Sequence, residues 1–184
     1  MKSFFEPAQH LHDPQQFMRL GVICEPRDLP ARTERLLGAL SGLGIEAAVP
    51  DDRGLEPILK VHDAAYLEFL RTAFERWRQL PGAGPEVLPN MSPYWNGRPD
   101  RHGRAACRTN SVAGQAGFYL GDLAVPIGPN TWTSAYASAQ TAVNATDAIL
   151  AGEQIAYALC RPPGHHAQVD RASGFCYLNN SAIA

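Results

Sequence analysis

Residues 160–180 read CRPPGHHAQVDRASGFCYLNN and hold the side chains best suited to chemistry. His165 and His166 are adjacent, and Gly174-Phe175 follow after a short polar stretch. Histidine changes charge close to neutral pH, so a pair can divide the work of proton transfer. One ring can stay neutral and accept a proton while the other carries charge and stabilises an anion. Arg161-Pro162-Pro163-Gly164 comes immediately before the pair. Proline pins φ and glycine permits a close approach, which makes a rigid launch point for two imidazoles. Gly174 offers bare backbone, and Phe175 an aromatic wall for a slender apolar chain. Two blander readings stay open on these residues alone: one histidine is structural, and Phe175 is an ordinary core residue.

The elements that must position this stretch can be read from periodicity. Ile155 to Cys160 is a short, continuous apolar run of the buried-strand type. A long helix precedes it from Thr131, with Trp132, Ala135, Ala139, Ala142, Val143, Thr146, Ile149 and Leu150 expected on one face and Gly152 as the stop. Helix, glycine stop, buried strand and histidine loop form the unit expected of an α/β sheet, whose ligands sit beyond the carboxyl ends of the strands. Upstream, Pro30 opens a helix with Leu36, Leu37, Leu40 and Leu43 on one face, and IEAAV before Pro50 is expected to be a buried strand. Asp63 is expected to cap a helix that buries Tyr66, Leu67, Leu70, Phe74 and Trp77. His62, just outside that cap, reads equally well as structural or functional. From Pro81 to about Asn110 periodicity vanishes, and Met91, Tyr94 and Trp95 favour an ordered arm over a solvated tether. The nearby Arg98, Arg101, Arg104 and Arg108 read as solvated surface.

Composition narrows the function classes. With 184 residues, 45% hydrophobic and 18% charged, the chain has material for one domain with a core. A net charge of −2 calls for neither nucleic acid nor a membrane surface as partner. The four cysteines, Cys24, Cys107, Cys160 and Cys176, have no CxxC spacing and read as reduced, mostly buried thiols. The N-terminus lacks the apolar core of a signal peptide, and the expected location is cytoplasmic.

RPPGHHA followed by GFCYLNNSAIA resembles the active-site stretch of the zinc-dependent histone deacetylase family, and within it the bacterial acetylpolyamine amidohydrolase branch. LPARTERL, LKVHDAAYLEFL, GPNTW and LAGE are also similar to segments of that family, so the resemblance covers nearly the whole chain. It implies an α/β, arginase/deacetylase-like three-layer fold with a mostly parallel central sheet. Residues 1–184 would be the N-terminal portion of a single deacetylase domain. The implied reaction is hydrolysis of an acetylated amine by a water activated on Zn²⁺, with Fe²⁺ as the alternative metal. By matching position His166 would be the general base and then acid, and His165 its electrostatic partner. Gly174 and Phe175 would line the tunnel for the substrate's methylene chain. The segment 81–110 would form a homodimer interface.

Two departures from the pattern matter. The family's Asp, His and Asp metal ligands have no counterpart among these residues and are expected beyond Ala184; Asp170 is no substitute. A chain without them should be inert, since three protein ligands are needed to acidify a water. The glutamate that the acetylpolyamine branch places before Gly114-Gln115 is Ala113 in this sequence. An acetylated lysine, a short diamine or another acyl amide therefore fits as well as a polyamine. A truncated, non-catalytic module that binds an acylated amine or pairs with a full-length subunit is the competing expectation. A manganese ureohydrolase of the same fold is disfavoured by the GHH and GFCYLNN motifs.

Overall fold

The computed structural model describes residues 1–90 and 106–184. Its centre is a three-stranded parallel sheet in the order β4-β1-β5, formed by Ala47–Ala48 (β4), Lys2–Phe4 (β1) and Ala156–Ala158 (β5). Ser3 pairs with Ala47 on one side and with Tyr157 on the other. β4 and β5 fall within the apolar runs expected to be buried strands, but neither is fully buried, and Val49 and Ile155 at the margins of these runs are exposed; β1 had no such expectation. Three residues are too few to show a period, and β1 is recognisable only through its partners.

Strand residues alternate faces, and the alternation builds three layers. Phe4, Ala156 and Ala158 pack with Ala145 and Ala148 of a long helix, Thr131–Leu150 (α5). Phe5, Tyr157 and Leu159 face Leu37 and Leu40 of the opposite helix, Ala31–Gly42 (α1). The small residues of α5 allow this close approach. The larger core lies beside the sheet, where Tyr66, Phe69, Leu70 and Trp77 of Ala64–Trp77 (α3) meet Val112, Ala116 and Tyr119 of Val112–Tyr119 (α4). Each of those large side chains stabilises the fold by about 1.5–3 kcal/mol relative to exposure. Asp63 caps α3 as expected, its carboxylate accepting from the Ala65 amide at 3.0 Å. A single turn, Glu56–Leu59 (α2), precedes it.

Two expected helix faces need correction. On α1, Leu36 and Leu43 are exposed, and on α5 Ile149 and Leu150 are exposed. Polar α5 residues are buried in their place because loops bond to them: Ser134 Oγ donates to the Ala8 carbonyl at 2.7 Å, and Gln140 Oε1 accepts from the Arg53 amide at 2.7 Å. Leu36, Ile149, Ala156 and Ala184 line an open groove of about 620 Å³ beside β5.

Phe17–Arg19 (β2) and Val22–Cys24 (β3) form an antiparallel hairpin that the apolar pattern did not suggest. Leu20 and Gly21 turn it with φ of 51° and 77°. The four cysteines are unpaired; Cys176 is buried and the other three are half-buried. No described helix is long and apolar enough to cross a membrane. Met91, Tyr94, Trp95, Arg98, Arg101 and Arg104 lie outside the described residues.

Candidate active site

β1 and β5 run parallel, so their carboxyl ends open on the same side of the sheet. The chain leaving β5 enters Arg161, which is buried and anchors the loop to two segments distant in sequence, around Gln9 and around Asp28. Its Nε donates to Asp28 Oδ1 at 3.0 Å, and its Nη2 donates to the Asp28 carbonyl at 2.7 Å. Its Nη1 donates to the Gln9 carbonyl at 3.0 Å, and its amide donates to Gln9 Oε1 at 2.5 Å. Gln9 sits in a 3-10 turn, Pro7–Leu11, just after β1.

Behind this pair lies His12, 2% exposed, with Nε2 3.8 Å from Asp28 Oδ2. Burial first, and the Arg161 guanidinium second, push its pKa down to about 3. The ring is therefore neutral, and the contact with Asp28 is not an ion pair. Burial raises the Asp28 carboxyl even against the opposing pull of Arg161.

Past Arg161 the backbone presses against the amino end of a last helical turn, Asn180–Ile183 (α6). Ser138 of α5 donates to the Pro162 carbonyl at 2.9 Å and accepts from Asn180 Nδ2 at 2.8 Å. A Cβ on Gly164 would collide with the Asn180 amide and the Leu178 carbonyl. Glycine is required there by close approach.

The two imidazoles follow immediately. His165 and His166 are exposed, with ring centroids 4.2 Å apart and planes at 52°. The loop then returns as a tight turn in which Ser173 and Cys176 exchange backbone hydrogen bonds of 3.0 and 2.9 Å. Its two central residues, Gly174 at φ 54° and Phe175 at φ 67°, are both left-handed. A Cβ on Gly174 would lie 2.6 Å from His166 Cδ2, so the glycine lets the turn rest directly on that ring. Phe175 meets Phe17 of the hairpin edge-on at 5.5 Å. His165 and Phe175 together line a cavity of about 210 Å³ with Arg27, Asp28 and Arg32. All four residues expected at the site are thus brought together.

His62 belongs to the frame. Its Nε2 accepts from the Asn179 amide at 2.9 Å, which leaves Nδ1 to donate to the Val169 carbonyl at 3.2 Å. Burial lowers its pKa and keeps it neutral.

Asp122 was not anticipated. One of its carboxylate oxygens accepts from Ser173 Oγ at 2.7 Å and from the Gly174 amide at 2.8 Å, and the other accepts from the Ala124 amide at 2.8 Å. The only local signal is a Gly-Asp pair after an apolar run, which reads as a turn. Ala113 packs against the main core, and the Gln115 side chain is held by Arg76 at 2.7 Å. Among the described residues no three His, Cys, Asp or Glu side chains converge as a metal would require.

The histone deacetylase domain model matches residues 27–184. An acetylpolyamine amidohydrolase from Burkholderia pseudomallei is 42% identical over all of this chain and 51% of its own length. Another from Mycoplana ramosa is 36% identical over all of this chain and 52% of its own. The crystal structure of acetylpolyamine aminohydrolase from Burkholderia pseudomallei superposes with a TM-score of 0.87, covering 100% of this chain and 51% of that one. The chain therefore spans about half the length of these relatives. Parallel strands, a histidine pair at their carboxyl ends and a family match over most of the sequence converge: this chain belongs to the histone deacetylase family.

Proposed function

We propose that the complete protein is an amidohydrolase that removes acetyl or related acyl groups from small acetylated amines. The observation that carries this is the joint placement of His165, His166, Gly174 and Phe175 at the carboxyl end of β5. His166, backed by the bare face of Gly174, would take a proton from an attacking water and return it to the leaving amine. His165 faces the cavity beside it and would stabilise the charge that develops. Phe175 offers an apolar wall to the chain that carries the amide. Both similarity to acetylpolyamine amidohydrolases and the geometry support acetylated amines as the substrate class. Ala113 supplies no carboxylate for a polyamine, so acetyl-lysine and acetylated diamines belong to the same proposal.

The described residues do not by themselves fit a metal, and the proposal assigns Zn²⁺ or Fe²⁺ to none of them. A cytoplasmic homodimer joined through residues 81–110 completes the reading.

The test is hydrolysis of an N-acetylated diamine and an acetyl-lysine peptide by the complete polypeptide. Wild type should turn over at least one of them, and His166→Ala should lose about 10²–10⁴-fold in kcat. Near-normal turnover by the variant would remove His166 from its role. No hydrolysis by wild type would remove the reaction.

A further inference from the structure

We propose that Asp122 is a positioning residue that holds the Gly174-Phe175 turn in its binding conformation, and so sets the width of the tunnel for the substrate chain. The inference rests on the amidohydrolase reading. It is carried by an independent observation: a left-handed Phe175 braced by a carboxylate from another segment.

A left-handed conformation disfavours any residue with a Cβ, and glycine is its usual occupant. Gly174 meets that requirement, but Phe175 at φ 67° does not. Such a residue persists only when its surroundings over-determine it. The reciprocal Ser173 and Cys176 bonds close the turn without selecting where its tip points. Position comes from the neighbouring segment. The Gly121 amide donates to the Ala172 carbonyl at 2.7 Å, and the Ala172 amide donates to the Tyr119 carbonyl at 2.9 Å, so residues 119–121 run beside the approach to the turn. Asp122 continues this contact as a side chain. Its carboxylate takes the Ser173 hydroxyl and the Gly174 amide together while its other oxygen is tied to Ala124. Hydrogen bonds to an ionised acceptor are about twice as strong as neutral ones, which suits a brace against backbone strain.

Removing the carboxylate frees the tip to relax towards negative φ. The Phe175 ring would then leave Phe17 and the cavity wall it shares with His165. The loss should appear in substrate binding more than in proton transfer. In the complete protein, Asp122→Ala should raise KM for a long-chain acetylated amine about tenfold while kcat falls less than threefold. Acetamide, too short to reach the wall, should lose little. Asp122→Asn, which keeps one acceptor oxygen, should recover part of the loss. An unchanged KM, or equal losses for long and short amides, would overturn the proposal.

A second measurement does not depend on turnover. With fluorophenylalanine incorporated, the ¹⁹F resonance of Phe175, assigned through Phe175→Leu, should shift towards its solvent-exposed position in Asp122→Ala. An unmoved resonance also overturns the proposal. If wild type hydrolyses no acetylated amine yet the resonance moves, the amidohydrolase reading fails and the brace stands.

Discussion

Both ring nitrogens of His62 are committed, one to the Asn179 amide and one to the Val169 carbonyl, and the ring is 3% exposed. It therefore ties the middle of the histidine loop, at Val169, and its end, at Asn179, to the start of α3. His62→Ala leaves a donor and an acceptor stranded, each costing about 1–3 kcal/mol when buried without a partner. The variant should unfold about 2–4 kcal/mol more easily in denaturant; an unchanged midpoint with unchanged slope would show that the loop does not need the tie. Such a role is invisible in sequence, because the Val169 partner lies 107 residues away. His165 and His166 were legible for the opposite reason. Their meaning came from neighbours in the chain, a buried strand and a Pro-Pro-Gly turn. Asp122 shares the fate of His62, since its partners Ser173 and Gly174 are 51 and 52 residues away.

At the scale of elements, the helices α1, α3 and α5 were readable because each spans three or more turns and shows a period. The strand β1 has three residues and no flanking apolar run, too short for any pattern to emerge, whereas the two residues of β4 were signalled by the run around them. Two of the four residues misplaced on the α1 and α5 faces share a cause, while Leu43 and Leu150 simply lie at exposed helix ends. Exposed Leu36 and Ile149 border the groove beside β5, so apolarity there reports a wall and not packing within these residues. Glycines give a test of how tightly the elements meet. Gly164 lies where the exit from β5 touches the start of α6, with backbone atoms in the way of any Cβ. Gly164→Ala should destabilise by about 1–3 kcal/mol, the range for overpacking a closed contact. Gly117, inside α4, has nothing within 4 Å of an added Cβ. Gly117→Ala should stabilise by up to about 1 kcal/mol through helix propensity alone. Thermal or denaturant melts of the two variants should therefore move in opposite directions. If Gly164→Ala melts like wild type, the β5 exit and α6 are not in the close contact described.

For the whole molecule, Arg161 joins β5, the turn after β1 and the segment before α1, with partners 152 and 133 residues away. His12, behind this cation and its partner Asp28, is kept neutral first by its own burial and second by the cation. A pH dependence of folding follows, and its sign can be worked out. The His12 pKa is about 3 in the folded protein and about 6.5 when unfolded. Below pH 6.5 the unfolded chain takes up a proton that the folded one refuses, so stability is present above that pH and is lost as pH falls towards 3. His62, also lowered by burial, acts in the same direction. Asp28 and Glu86 are raised and act in the opposite direction, but only near and below their own folded pKa values, where the native state gains protons first. The interval from pH 7.5 to 5.5 spans the unfolded histidine pKa, where the histidine contribution begins to be lost. One fully refused proton costs about 1.4 kcal/mol at one unit below the unfolded pKa. Urea melts should show the protein less stable at pH 5.5 than at 7.5 by about 1–3 kcal/mol. His12→Gln, which keeps a polar side chain but cannot titrate, should reduce that difference by about 1.4 kcal/mol. If the wild-type difference is absent or reversed, or if His12→Gln leaves it intact, His12 is not held neutral behind Arg161 and Asp28.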